Sequence, residues 1–283
     1  MDQEIFKSVI HDIIHHSDDI FELKISSPLA AKNYLPGQFF KLQNFQKTNE
    51  KSFEPIAITA SNIEGDIISS IIQIIGKSTR SASLLKKGQE ISLIGPCGEP
   101  SYVPSNSSFL LIGGGVGVYA LLPYAKLLKE NNNKIAILAG YRKKEHCIYQ
   151  DQIKEFADQV FFSCDEGAIN SANITTIPGN IIEALKKIDL RDYQNIFIVG
   201  SSSMMQAVAE HLEINKTANK IASINAPMQC MFGGICGQCL TLVPSESGDK
   251  LIFICKHQDQ KLEPELMANL RKKLSQNSLL EKI

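Results

Sequence analysis

Four of the seven cysteines lie in one glycine-rich stretch near the C-terminus, and no other feature limits the fold of the chain as strongly. These cysteines are Cys230, Cys236, Cys239 and Cys255, and they follow the spacing C-x5-C-x2-C-x15-C. The N-terminal sequence MDQEIFKSVIHDIIHH lacks the features of a secretory signal, so we expect a cytoplasmic protein without a disulfide framework. Clustered thiols in such a chain predict a metal centre.

The spacing and the glycines favour a two-iron cluster over zinc. Thiolates are soft ligands for both, and close cysteines followed by one distant cysteine are typical of plant-type [2Fe-2S] loops. The glycines of MFGGICGQC let the backbone wrap tightly and aim N–H groups at cluster sulfides. Structural zinc usually takes two separate cysteine pairs, and only Cys236 and Cys239 form such a pair. We therefore predict a [2Fe-2S] cluster, with zinc as the alternative and with Cys97, Cys147 and Cys164 as small buried residues.

Bulk composition excludes several classes of protein. The 29 basic and 30 acidic residues leave a net charge of -1, so no overall field gathers nucleic acid or an anionic membrane. A length of 283 residues indicates two domains and a small third one. The stretch 109–128 is nearly uncharged, but its glycines and proline favour a buried strand that leads through a glycine loop into a helix, and no membrane span.

The first hundred residues carry β-strand patterns. FELKIS alternates apolar and polar residues, PGQFFKLQ follows a turn signal, and the isoleucine-rich run Asp66–Ile75 is followed by EISLIGPCG. Many short strands with turns between them predict an antiparallel β-barrel over residues 1–102.

The pattern then changes to apolar strands that alternate with helices, which predicts a parallel α/β domain over residues 103–217. The predicted strands are Phe109–Ile112, Lys134–Ala139, Val160–Ser163 and Asn195–Val199, and the predicted helices are Val118–Glu130, Tyr149–Ala157, Ile181–Lys187 and Met204–Leu212. Residues 218–258 form the predicted cluster segment. Residues 259–283 form a tail in which Leu266, Leu270 and Leu274 have helical spacing.

A glycine-rich loop marks a candidate nucleotide site in the second domain. GGGVG, from Gly113 to Gly117, ends an apolar strand and opens a helix, so its N–H groups face an anion. The next strand is followed by GYRKK, in which Arg142 can approach a phosphate. A plain tight turn and a solvated basic turn are the alternatives for these two motifs.

The motif order resembles the ferredoxin-NADP reductase superfamily. The matching motifs are PGQFF, EPIAI, GKSTRSASLLKKGQEISLIGPCG, GGGVGVYALLPYA and VGSSSMM, and the cysteine segment follows them. A [2Fe-2S] loop after the nicotinamide domain is similar to the electron-transfer subunit of class B dihydroorotate dehydrogenase. This resemblance implies FAD, a nicotinamide cofactor, a catalytic partner subunit and a place in pyrimidine biosynthesis.

The resemblance also implies which residues bind these cofactors. Residues along FAD are Glu54, Pro55, Ile56 and Ala57, and those at its pyrophosphate are Gly76, Ser78 and Thr79. Nicotinamide-binding residues are Gly113, Gly114, Gly115, Gly117, Arg142 and Gly200. The family usually has arginine in place of Glu54 and a hydroxyl residue in place of Ala57. Tyr119 and Ala120 also depart from the family pattern.

These cofactors predict an electron-transfer flavoprotein. A nicotinamide delivers a hydride and an iron–sulfur cluster carries one electron, so a flavin is the natural converter between them. A stand-alone NAD(P)H oxidoreductase, or a reductase module of a glutamate-synthase-like complex, is the first alternative. The second is a decayed reductase in which zinc stabilises an interaction module.

Overall fold

The computed structural model describes residues 4–43, 55–169, 174–212, 218–224, 236–243, 248–262 and 266–267. The elements of its first part are β1 Glu4–His15, β2 Ile20–Ser26, α1 Pro28–Asn33, β3 Phe39–Gln43, β4 Ile56–Ile58, β5 Asn62–Glu64, β6 Ile67–Gln73, α2 Lys77–Ala82 and β7 Glu90–Cys97. Among these residues, seven strands form one sheet in the order β4-β3-β7-β1-β2-β6-β5. Every neighbouring pair in it is antiparallel, as the sequence predicted.

This first sheet curls almost into a barrel. Its two edge strands, β4 and β5, are consecutive in the chain and only residues 59–61 separate them. A chain spans about 3.5 Å per residue at most, so this short link holds the two edges close together. The Ser70 hydroxyl donates to the Thr59 carbonyl, and the Ser61 N–H donates to the Ser69 carbonyl at 2.7 Å, which ties the link to β6.

The second part of the chain alternates strands and helices. Its elements are β8 Ser108–Gly114, α3 Gly117–Ala120, α4 Leu122–Glu130, β9 Lys134–Tyr141, α5 Gln150–Glu155, β10 Gln159–Cys164, β11 Thr175–Pro178, α6 Ile181–Leu185, β12 Asn195–Val199, α7 Ser202–Leu212 and β13 Asn219–Ser223. The last described strands are β14 Leu240–Val243, β15 Lys250–Phe253 and β16 Asp259–Lys261. Two single 3-10 turns lie at Lys144–His146 and Leu190–Asp192.

The second sheet has the order β11-β10-β9-β8-β12-β13-β16 within the described residues. All its pairs are parallel except β13 with β16. The central strands are apolar along their whole length because both faces of the sheet are buried under helices. The two-part fold class predicted from the sequence is therefore confirmed.

The chain leaves this sheet after β13 and returns to it in β16. Ser223 at the end of β13 pairs with Asp259 at the start of β16. Between them, β14 and β15 form an antiparallel hairpin in which Leu240 pairs with Phe253. The second sheet extends beyond residues 103–217, the range predicted for the α/β domain. It does so because β13 pairs with β12 and β16 pairs with β13.

The predicted single helix Val118–Glu130 is wrong, because the structure has two helices there. Helix α3 ends at Ala120, and α4 begins at Leu122 with Pro123 in its first turn. Proline has no N–H to continue the helical hydrogen bonds, so the first helix stops before it. The stretch 109–128 is otherwise the strand, glycine loop and helix that the sequence predicted. Among the described residues, no helix has the length and apolar character needed to cross a membrane.

Candidate functional site

A cleft of 850 Å³ lies between the two sheets and receives residues from both. The predicted site residues that line it are Ala57, Thr79, Gly114, Gly115, Gly117, Arg142 and Gly200. Motifs that are separated along the chain therefore face one space. A cleft of this size between domains is typical of cofactor sites.

The glycine loop stands where the strand order of the second sheet reverses. Strand β8 has β9 on one side and β12 on the other, so the connections after β8 and β12 diverge. Open α/β sheets bind ligands in the crevice at such a point, outside the carboxyl ends of the strands. Gly115 follows β8 with φ of 55° and donates its N–H to the Gly140 carbonyl at 2.8 Å. The loop therefore presents backbone rather than side chains to the cleft.

Close packing explains two more of the predicted glycines. A Cβ on Gly117 would lie 2.8 Å from the Val199 carbonyl oxygen. A Cβ on Gly113 would lie 2.7 Å from Cα of Val118. Gly113 is buried at the end of β8, so it brings helix α3 close to the sheet.

Met204 fills the space above the other two glycines. A Cβ on Gly200 would lie 2.6 Å from Met204 Cε, and a Cβ on Gly114 would collide with the Met204 sulfur. Met204 lines the cleft and is partly buried, whereas Met205 is fully buried in the core. Of these two methionines, Met204 therefore faces the cleft and Met205 faces the core.

The first-sheet wall of the cleft comes from β4, β6 and the link after β4. Ala57, Thr59 and Ser61 alternate along the chain and all line the cleft. Gln73 and Ile75 line it from the end of β6 and the segment that follows. Ile75 is 82% exposed, so a large apolar side chain faces open space in the cleft. An apolar surface of this kind fits a planar cofactor ring.

The GKST turn uses its threonine to shape the backbone. The Thr79 hydroxyl oxygen accepts hydrogen bonds from the N–H groups of Ile75 and Gly76, at 3.0 and 3.1 Å. Nothing lies within 4 Å of a Cβ placed on Gly76, so the turn is open on that side. Thr79 lines the cleft, whereas Gly76 and Ser78 do not.

Two charged side chains stand at the ends of neighbouring strands in the second sheet. Arg142 follows β9 and Asp165 follows β10, and both are exposed and line the cleft. The Arg142 guanidinium is therefore free of the core and open to an anionic group.

Polar contacts join the two domains beside the cleft. The His146 ring Nε2 lies 2.9 Å from Oδ1 of Asp19, and Gln73 donates to the other carboxylate oxygen at 2.9 Å. The hydrogen bond from Gln73 is the main cause that lowers the Asp19 pKa to about 2, with the His146 contact adding to it. A second link runs from the Tyr149 hydroxyl to a carboxylate oxygen of buried Glu22 at 2.5 Å.

The hydrogen bonds of Tyr119 explain why a tyrosine stands at this position, where the chain departs from the family pattern. Its buried hydroxyl donates to the His146 carbonyl at 2.5 Å and accepts from the Ile148 N–H at 2.9 Å. Burial raises the pKa of Tyr119, so the hydroxyl stays protonated. Helix α3 is thereby fixed to the segment that makes the domain contacts.

The described cysteines of the predicted cluster lie around one end of the β14–β15 hairpin. Cys239 directly precedes β14, Cys255 closely follows β15, and the Ile254 N–H donates to the Cys239 carbonyl at 3.2 Å. Cys239 and Cys255 are buried, while Cys236 is partly exposed. Gly237, between Cys236 and Cys239, has φ of 68°, a conformation that glycine adopts without strain. Cys239 and Cys255 thus lie at the same end of the hairpin.

Cys97 of β7 lies in the same buried cluster as Cys239 and Cys255. Burial, followed by the nearby Cys255, raises the pKa of the Cys97 thiol to about 12. Burial likewise raises the Cys147 pKa to about 12. These two thiols are protonated and buried, as the sequence predicted for small core residues.

Some predicted residues are not placed at the cleft. Glu54 and Cys230 lie outside the described residues. Pro55 and Ile56 precede the lining residue Ala57 without themselves lining the cleft. Within the part of the tail that is described, Leu266 is buried, and the rest of the predicted tail helix lies outside it.

Sequence reasoning missed many of the lining residues, among them Thr59, Ser61, Gln73 and Gln258. The period-two spacing of Ala57, Thr59 and Ser61 is a signal that could have found two of them, because alternate strand residues share a face. No local pattern marks Gln258, whose position depends on contacts distant in sequence.

Comparisons with known proteins agree with this arrangement, although no family profile matches the chain. An uncharacterized protein of Rickettsia prowazekii is 32% identical over 281 residues, which make up 99% of this chain and 33% of that protein. The chain thus spans about a third of the length of this relative. A Thermotoga maritima protein named as a homolog of the dihydroorotate dehydrogenase B (NAD+) electron transfer subunit is 30% identical over 232 residues, covering 81% of this chain and 78% of the relative.

A solved structure extends the agreement to the fold. One chain of an NADH-dependent reduced ferredoxin-NADP oxidoreductase, solved in a study of flavin-based electron bifurcation, superposes with a TM-score of 0.78. It is 28% identical, and the match covers 96% of this chain and 98% of that one. The cleft, the switch-point glycines and these relatives together confirm the resemblance seen in the sequence: the chain belongs to the family of dihydroorotate dehydrogenase B electron-transfer subunits, within the ferredoxin-NADP reductase superfamily.

Proposed function

We propose that this chain is an oxidoreductase that passes electrons between NAD(P)(H) and a partner redox enzyme through FAD and a [2Fe-2S] cluster. The observation that carries the proposal is the single cleft into which both the GKST side of the first sheet and the glycine loop of the second sheet open. When bound, FAD supplies the exchange between a hydride and single electrons.

The first-sheet wall fits the flavin. Ala57, Thr59 and Ser61 offer a small, partly polar strand surface, and exposed Ile75 offers an apolar one. The open turn at Gly76 and Thr79 leaves room for a pyrophosphate. These residues would bind the flavin and hold its orientation, without a general base.

The second-sheet wall fits a dinucleotide. Gly114, Gly115 and Gly117 allow close backbone approach at the switch point, and Arg142 supplies a positive charge for a phosphate. The contacts of His146 and Tyr149 with the first domain hold this wall against the flavin wall. Hydride transfer depends on such orientation more than on acid–base groups.

The cysteine set fits an iron–sulfur cluster by its donor chemistry. The described ligands are thiols only, and a tight glycine turn precedes Cys239. Phe39 lines the cleft and also belongs to the buried cluster that contains Cys239 and Cys255. Two predicted ligands therefore share a buried core with a residue of the cleft wall, which supports electron exchange between the two sites.

The partner is proposed to be a catalytic flavoprotein dehydrogenase. Relatives from Thermotoga maritima, Fusobacterium nucleatum and Listeria innocua are named as electron transfer subunits of dihydroorotate dehydrogenase B or as a homolog of one. The much longer Rickettsia relative carries a matching region within a larger chain, which also supports operation beside another catalytic unit.

Anaerobic purification followed by iron, sulfide and flavin assays tests the proposal. We expect about two iron atoms and about one FAD per chain, and bleaching of the flavin by NADH or NADPH. A sample that holds zinc without iron or flavin, even after reconstitution, would instead support the interaction-module alternative. Copurification with a second flavoprotein separates the subunit from a stand-alone oxidoreductase.

Cysteine variants sharpen this test. Cys239→Ser is expected to lose most of the iron, because a buried cluster ligand is removed. Cys147→Ser is the matched control, since Cys147 is also buried but lies in the other face of the second sheet. The cluster assignment fails if both variants retain iron equally.

A further inference from the structure

We propose that Gln258 is a positioning residue for electron transfer, because its side chain fixes the segment that follows Cys255 to the FAD-side domain. This inference rests on the proposed function and goes beyond it by naming what holds the cluster segment in place. Gln258 lies in none of the cofactor motifs of the sequence.

The side chain of Gln258 uses both ends of its amide in contacts with the first domain. Its Nε2 donates to the carbonyl oxygens of Gly37, at 2.9 Å, and Glu99, at 2.5 Å. Its Oε1 accepts from the Glu99 N–H at 3.1 Å. The residue is only 4% exposed, so these bonds are shielded from water.

The backbone of Gln258 faces the second domain. Its carbonyl accepts from the Ile224 N–H at 2.8 Å, directly after β13. One residue thus joins the end of the nicotinamide-side sheet, the first domain and the segment after the last predicted cluster ligand. Such a junction fixes three units relative to one another.

The first domain is shaped to receive this amide. A Cβ on Gly98 would lie 2.6 Å from Gln258 Oε1, and Gly98 has φ of 81°. A glycine is therefore needed there for both space and conformation. The neighbouring pair His257–Glu99 is much more exposed and contributes little.

Gln258 and Phe39 both line the cleft, and Phe39 belongs to the same buried cluster as Cys239 and Cys255. A shift of the segment after Cys255 would change the distance between the flavin and the cluster. A misplacement of about 1 Å can slow a reaction by about a hundredfold. The side chain of Gln258 joins this segment to the first domain, whereas its contact with the second domain is made by the backbone and is kept in a side-chain variant.

The test compares Gln258→Leu with Gln260→Leu. Gln260 lies two residues further along the chain, in β16, and its amide donates only to the His257 carbonyl among the described contacts. Under anaerobic rapid mixing, reduction of FAD by NAD(P)H is recorded in both variants as the reference for the step that follows. The next step oxidises the reduced flavin by one electron and reduces one ferric iron. In Gln258→Leu, the EPR signal of the reduced cluster should form about tenfold more slowly or worse.

Hydrogen exchange gives a readout that does not need turnover. The Glu99 amide donates to Gln258, so it should exchange about tenfold faster in Gln258→Leu and stay unchanged in Gln260→Leu. The proposal is overturned if cluster reduction stays within about twofold of wild type, if the control slows it equally, or if Glu99 remains protected.

A milder variant covers the case in which Gln258→Leu does not fold. Gln258→Asn keeps the amide on a side chain one methylene shorter, and should give smaller changes in the same direction. Wild-type behaviour in both readouts would overturn the inference. A wild-type sample without FAD or iron contradicts the proposed function instead, while the exchange of the Glu99 amide still tests the junction.

Discussion

Replacing Asp19 by asparagine removes the charge from the contact that joins the two domains. The Asp19 carboxylate accepts from Gln73 and lies 2.9 Å from the His146 ring. These contacts lower its pKa from the ordinary 3.8 to about 2. The folded protein thus holds the ionised form more tightly than the unfolded chain does.

The size of the effect follows from that difference. A change from 3.8 to about 2 corresponds to roughly 2.5 kcal/mol, since a tenfold change is worth about 1.36 kcal/mol. The Asp19 side chain is 30% exposed, and solvent screening reduces the expected contribution to about 1 kcal/mol. Because the folded-state pKa is depressed, this stability is present above about pH 4 and is lost as the pH falls toward about 2.

Urea unfolding followed by circular dichroism measures this contribution. At about pH 7, Asp19→Asn should lower the free energy of unfolding by about 1 kcal/mol, and the difference from wild type should shrink by about pH 3. The control is Asp18→Asn at the exposed neighbouring position, which should stay within about 0.5 kcal/mol. A difference for Asp19→Asn that is absent, or identical at both pH values, would refute the reasoning.

Two further substitutions test the packing around the cleft. Gly117→Ala should cost about 1–3 kcal/mol of unfolding free energy, because its Cβ would press on a carbonyl of β12. Gly76→Ala, with open space around it, should stay within about 0.5 kcal/mol, and equal losses would contradict the packing argument. Tyr119→Phe should cost about 1–3 kcal/mol, because two buried backbone groups lose their partner. Tyr102→Phe, at a residue that is 72% exposed, is its control in the same thermal or urea unfolding assay, and a similar loss in both would be the contrary result.

The sequence predicted those elements whose own residues form a clear pattern of apolar and polar side chains. The apolar runs of the second domain became strands, and the strand Asn195–Val199 has the predicted bounds while the other three are longer than predicted. The short strands β4, β5 and β16 had no pattern of their own, because three residues gain strand geometry only from a partner strand. Pro123 is visible in the sequence as a residue that interrupts helices. The apolar periodicity continues on both sides of it, so the sequence predicted one helix instead of two.

The same distinction holds for the candidate site. Glycine loops can be recognised from a short stretch of sequence, since close backbone approach needs glycine at fixed positions. The contact of Asp19 with His146 joins residues 127 positions apart, and that of Gln258 with Glu99 joins residues 159 apart. Only the folded arrangement of two domains creates such pairs, so a single sequence carries no trace of them.

Ser223 pairs with Asp259, so the two ends of the segment 224–258 lie side by side in the second sheet. A segment held at both ends cannot rotate about one of them, because the other end opposes the rotation. Lengthening or shortening the segment that joins β14 to β15 would leave the pairing of Ser223 with Asp259 in place. A change of length in that segment would therefore leave the two paired ends of residues 224–258 in the same position.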